Sequence, residues 1–286
     1  MQRKGVLIVK KKSVLLLCFI MSLVMSFNSL QAIAYPSGWT PDVQFQDFWQ
    51  KDPGVNSGNM ACAEVAATDS LWWLSTKYNL PNLIQGKTWQ GLANTLETSS
   101  YMNLTGNGTY SGKFVDGKTN YINSVGYGSQ IQVEKQLGGQ GTAPTIDWIK
   151  SQVALGQDVE VEIGWIKQVS GGTDTWLGGH FVAVTGYDED NLKIADPWTD
   201  SGANISEILQ INNSGQTTLS FDAYGNYKSA YTLTYPRVTI NDGLSFSGTN
   251  YEIIFAAVAE SVPEPSTILL LSFSLGYLIK AGRKRE

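Results

Sequence analysis

Two side chains in this sequence open a route to chemistry, Cys62 and His180. Cys62 stands in Asn59-Met60-Ala61-Cys62-Ala63-Glu64-Val65-Ala66-Ala67, which runs into Leu71-Trp72-Trp73-Leu74. Good helix formers follow without Gly or Pro until Pro81, with Asn59 the expected cap, so the thiol should stand where a helix begins. The positive end of a helix dipole favours thiolate. A thiolate becomes a useful nucleophile when a histidine is near enough to move protons. The chain has one histidine. It lies in Leu177-Gly178-Gly179-His180-Phe181-Val182-Ala183-Val184-Thr185-Gly186-Tyr187-Asp188, ahead of Ile194-Ala195-Asp196-Pro197-Trp198.

His180 is expected to open a strand that turns at Asp188-Glu189-Asp190-Asn191 and returns through Leu192 to Ala195. That hairpin sets His180 beside Asp196, which can accept a hydrogen bond from one ring nitrogen and fix the tautomer that faces Cys62. Gly178 and Gly179 allow a close approach to the ring. Trp198 or Trp176 would cover the His–Asp bond from water. One His and one Cys without spaced carboxylates make no zinc site, so no metal and no cofactor is expected. The acidic turn lacks the spaced ligands of a calcium loop.

The elements that must position these residues follow from pattern. Tyr35 to Gly58 reads as an extended entry broken by Pro and Gly, tacked to the core by Trp39, Phe45, Phe48 and Trp49. The cysteine helix should run from Cys62 to Lys77 and bury a face of Val65, Ala66, Asp69, Trp72, Trp73 and Thr76. A second helix is expected over Thr88 to Leu96. Thr98 to Thr142, rich in Gly, Asn, Ser, Thr and Tyr, reads as a long mobile loop with one or two short strands. A helix follows from Pro144 to Leu155, stopped at Gly156. Strands are expected at Asp158 to Ile166, His180 to Tyr187, Leu192 to Ala195, Thr217 to Ala223, Tyr231 to Ile240 and Tyr251 to Val258. Helices first and an antiparallel sheet after make an α+β fold. Residues 202–261 extend that sheet or form a separate module.

Both ends look like processing signals. Residues 1–34 carry Arg3, Lys4, Lys10, Lys11 and Lys12, then an apolar run from Ser13 to Phe27, then Ala32-Ile33-Ala34, the form of a secretory signal peptide. Residues 262–286 hold Val262-Pro263-Glu264-Pro265, an apolar stretch from Ile268 to Ile279, and Lys280, Arg283, Lys284 and Arg285. Residues 35–262 between them carry 11 basic and 23 acidic side chains, a net charge near −12. Such a surface repels phosphate backbones, so nucleic acid is not an expected partner. One cysteine in this stretch forbids an internal disulfide, which makes a lone exported thiol informative.

A helix-borne cysteine, then a helix and strand, then Gly-Gly-His on a strand and Asp-Pro-Trp after the hairpin: this order resembles papain-like cysteine peptidases. The double-glycine leader peptidase family and its secreted relatives look most similar, over about Gln50 to Trp198. The resemblance implies a papain-like fold for residues 35–261, with the nucleophile helix packed on an antiparallel sheet. It implies Cys62 as nucleophile, His180 as base and acid, Asp196 as the orienting group, and Gly178, Gly179 and Trp198 around the substrate. Members also use a Gln upstream of the cysteine beside its own N–H to bind the oxyanion. Gln50 and Asn56 are the two candidates here. Ala63-Glu64 stand where the family commonly has Gly-Pro. The C-terminal Pro-Glu-Pro, apolar stretch and basic end resemble the PEP-CTERM sorting signal of bacterial surface proteins. That resemblance implies an exosortase-type processing partner, membrane attachment only through the C-terminal helix before processing, and delivery to the cell surface or extracellular matrix. The expected function is an exported peptidase acting on a peptide or protein. The rival is a catalytically inactive peptidase-like surface or biofilm-matrix protein that binds polysaccharide or a protein partner.

Overall fold

The computed structural model describes residues 45–138, 142–168, 174–199, 208–221, 231–240 and 247–263, all within the unit Ser37–Glu286. The expected signal peptide, Trp39, and the sorting stretch from Glu264 onward lie outside the described residues. Among the described residues no helix is long and apolar enough to cross a membrane.

Helix α1, Cys62–Lys77, begins at the cysteine. Asn59 does not cap it. A 3-10 turn, Gly58–Met60, leads in, and Ala61 holds the N-cap position with no side-chain bond. Gly58 at φ 43° makes that turn, and Ala61 N–H closes it on the Gly58 carbonyl at 3.1 Å. The expected one-sided burial does not hold either. Ala63 to Leu71 and Trp73 to Ser75 are buried, and Thr76 is exposed, so α1 is a central helix rather than an amphipathic surface one. Each fully buried Leu or Phe contributes about 1.5–3 kcal/mol, and Leu71, Leu74 and Phe114 are all buried. Helix α2, Trp89–Leu96, is capped by Thr88, whose hydroxyl accepts from Gly91 N–H at 3.2 Å.

The stretch expected as a mobile loop contains helix α3, Ser111–Ser124. Phe114, Val115, Tyr121 and Ile122 are its buried face. Gly117 is part of the reason it packs, since a Cβ there would lie 2.6 Å from the backbone of Tyr101 and Met102. Strand β1, Gln132–Leu137, then precedes helix α4, Ile146–Ala154, which Thr145 caps by accepting from Trp148 N–H at 3.1 Å.

The remaining strands are β2 (Asp158–Lys167), β3 (Thr175–Tyr187), β4 (Asn191–Ala195), β5 (Ile208–Phe221), β6 (Tyr231–Ile240) and β7 (Tyr251–Ser261). They form one antiparallel sheet in the order β1-β7-β2-β3-β4-β5-β6, closed by pairing of β6 with β7. Strands β5 to β7 therefore continue the sheet that carries the hairpin. Strand β3 starts five residues before His180, so the histidine is inside the strand and not at its opening. Helices α1 and α3 pack on one sheet face, where Ala63, Ala66, Ala67, Leu71, Leu74 and Phe114 meet Phe181, Ala183, Ala195, Phe255, Ala256 and Val258. The molecule is thus α+β, with its cysteine helix laid on an antiparallel sheet.

Candidate active site

Register places the imidazole. Ile163 pairs with His180 and Ala183 with Ala195, so the residue after β4 comes level with the middle of β3. His180 Nε2 lies 2.5 Å from Asp196 Oδ1. Asp196 is fully buried, and its Oδ1 also accepts from Trp198 N–H at 2.8 Å, which fixes the carboxylate. Cys62 is near enough to His180 to act on the ring's titration, and Nδ1 is the ring nitrogen that Asp196 does not take. Cys62 is half-buried and His180 is 3% exposed. Burial pulls the imidazole's pKa down, but the Asp196 charge, its hydrogen bond, and Cys62 push it up to about 10. The ring is therefore an imidazolium through neutral pH. As first residue of α1, Cys62 has an N–H that takes no acceptor among the described residues.

The two oxyanion candidates separate. Gln50 is fully buried and held at both ends. Its N–H donates to Pro197 O at 2.8 Å, next to Asp196, and its Nε2 donates to Gly58 O at 3.3 Å, four residues before Cys62. The second Nε2 hydrogen has no acceptor among the described residues. Asn56 is exposed, and its backbone N–H donates away from the site to Asn94 Oδ1 at 2.9 Å.

Around the imidazole the tryptophans divide the work differently from expectation. The ring beside His180 is Trp165, on the neighbouring strand, with centroids 6.0 Å apart. Trp176 lies over Gly164 and Gly179 instead. A Cβ at Gly164 would be 2.3 Å from its ring, and one at Gly179 would be 3.0 Å from it and 2.7 Å from Glu162 Oε1. Gly179 is thus required by packing as well as by any approach to the site, while Gly178 is half-buried opposite Trp165. Trp198 is half-buried, and the Lys51 ammonium sits 3.3 Å above its ring.

Sequence reasoning missed the buried carboxyls near these residues. Glu64 is fully buried two residues after Cys62, and burial pushes its carboxyl up to about 7 against a hydrogen bond from the Thr109 hydroxyl. Glu162, also raised to about 7 by burial, accepts from Ser111 Oγ at 2.5 Å. Farther along α1, Ser70 joins Lys118, Asp158, Glu160 and Glu260, all fully buried. Lys118 Nζ contacts Glu160 and lies 2.7 Å from Glu260, 3.7 Å from Asp158 and 2.5 Å from Ser70 Oγ. The three carboxylates are close enough together to hold a metal ion, but the ammonium stands where the ion would. The alternation Asp158-Val159-Glu160-Val161-Glu162 in a buried strand was the available signal.

No family model matches the chain, and no curated protein matches it. Among solved structures it is similar to one described as a candidate C39-like peptidase from Bacillus anthracis, at 12% identity and a TM-score of 0.35. That alignment covers 77% of this chain and 98% of the other.

Proposed function

We propose that this protein is an exported cysteine peptidase of papain-like type, sorted to the cell surface through its C-terminal stretch. The observation that supports the catalytic part is one chain of neighbours: Cys62 at the start of α1, near His180, which is bonded to buried Asp196. Cys62 as thiolate attacks a peptide carbonyl carbon. The oxyanion forms against Cys62 N–H and the uncommitted Gln50 N–H. The imidazolium protonates the leaving amine. Acylation turns the thiolate into a neutral thioester. Having given its proton to the amine, the ring is a neutral imidazole, and without the Cys62 charge it stays neutral more readily until it takes the proton of the water that clears the acyl-enzyme. Gly178, Gly179 and Trp198 flank this path. The −12 mature surface and the terminal segments support export over a nucleic-acid role.

A fluorogenic peptide-amide library, tested with the chain and its Cys62→Ala variant, decides the reading. We expect cleavage by the chain, loss of at least about 10³-fold in the variant, and alkylation of Cys62 by iodoacetamide slowed in His180→Ala. Equal cleavage by Cys62→Ala overturns it. A folded chain that cleaves nothing and alkylates no faster than a free thiol favours the inactive surface-protein reading.

A further inference from the structure

Gln50 and Cys62, which bring the two oxyanion donors, are joined by a loop with no regular structure beyond one 3-10 turn. Oxyanion donors act only when held in place before the charge forms. Something outside the loop must therefore fix it, and α2 presents a row of side chains that does. Gln90, Asn94 and Glu97, at i, i+4 and i+7, share one helix face. Gln90 Nε2 reaches Asp52 Oδ1 at 3.4 Å. Asn94 makes two bonds to the loop backbone, donating from Nδ2 to Gly54 O at 2.8 Å and accepting at Oδ1 from Asn56 N–H at 2.9 Å. Glu97 accepts twice from Ser57, from its N–H at 3.3 Å and its hydroxyl at 2.9 Å. Between these polar bonds Val55 plugs the loop into an apolar patch with Ala61, Val65 and Ala93. The helix behind the row is anchored by Leu92, Ala93 and Leu96, all fully buried.

The row ends where it bears on chemistry. Ser57 precedes Gly58, and the Gly58 carbonyl holds the Gln50 amide. We propose that Glu97 and Asn94 are positioning residues that hold the loop from Gly54 to Ser57, and so fix the following Gly58 carbonyl that aims the second Gln50 N–H at the oxyanion. This rests on the peptidase reading above. A carboxylate acceptor suits the task because charge-assisted bonds are roughly twice as strong as neutral ones, and its two oxygens hold Ser57 by backbone and side chain at once. Neither residue touches the reacting atoms.

The test uses the best-cleaved fluorogenic peptide amide, iodoacetamide, and the full chain. We expect Glu97→Ala to lower kcat about tenfold with KM unchanged, because a misplaced oxyanion donor affects only the transition state. Glu97→Gln keeps an acceptor for the Ser57 N–H and should recover most of the rate. Alkylation of Cys62, which uses no oxyanion donor, should keep its wild-type rate in both. In a Gln50→Ala background Glu97→Ala should cost nothing further, since the donor it aims is gone. Asn94→Ala repeats the pattern should Glu97→Ala fold poorly. Undiminished kcat in Glu97→Ala, an equal loss in the Gln50→Ala background, or a parallel fall in alkylation overturns the positioning role alone. A wild-type chain that hydrolyses no amide overturns the peptidase reading and this inference with it.

Discussion

Helix α1 serves two clusters of buried charge that differ in one respect. At its first residue, Cys62, His180 and Asp196 form a line with one end half-exposed. Two turns later, Ser70, Lys118, Asp158, Glu160 and Glu260 form a knot that is closed on every side. In the line, burial lowers the imidazole's pKa, but Asp196 and Cys62 together outweigh it and raise the ring to about 10. In the knot, one ammonium faces three carboxyls. Burial and mutual repulsion raise Asp158 to about 7 and Glu160 to about 8, and burial raises Glu260, so the knot holds protons near neutrality. The knot is sealed from solvent, and the line is open to it at Cys62.

The largest effect should come from unbalancing the closed cluster. Lys118→Met leaves three acids without their cation and is expected to cost about 3–5 kcal/mol of stability, read by chemical denaturation. A variant as stable as the parent would erase the distinction drawn between the clusters. Asp196→Asn should act on reactivity instead, lowering kcat about tenfold with the fold retained. It removes the Asp196 charge, the largest contribution raising His180. The alkaline limb of the Cys62 alkylation profile, expected near 10 in the parent, should therefore move to lower pH. No movement of that limb would mean the open line is not coupled to its carboxylate.

A further expectation, spread over both clusters, is the pH dependence of stability. Glu64, Asp158 and Glu162 sit near 7 and Glu160 near 8, above their ordinary values of 3.8 to 4.5. The folded state then holds protons that the unfolded chain releases. Stability should fall as pH rises from about 4.5 through 8, and His180 carries the fall on towards 10. Thermal unfolding at intervals across this range checks the sign. Rising stability would mean that these carboxyls are ionised and well paired.

Much of the open cluster was legible before any coordinates. Cys62 at a helix start, the hairpin that pairs His180 with Asp196, and the helix that opens at Thr88 all rest on local signals that span a turn or a strand. What escaped depends on partners distant in sequence. Helix α3 carries three residues of poor propensity around Gly117, and only the backbone of Tyr101 and Met102 explains why glycine is there. Lys118 looks like a solvent residue until Asp158, Glu160 and Glu260 close over it. Trp165 contacts the imidazole only through strand register. Asn59 was misread because a 3-10 turn satisfies the helix entry without a side chain.

Strand β7 pairs with β1, β2 and β6, and it is the last strand among the described residues. Until it is delivered, β2 has no neighbour on the side away from β3, and β3 holds the histidine. A partly emerged polypeptide therefore carries its thiol and its imidazole without the framework that makes them partners. The thiol and the imidazole rest on a sheet that is complete only once residues 251–261 are in place.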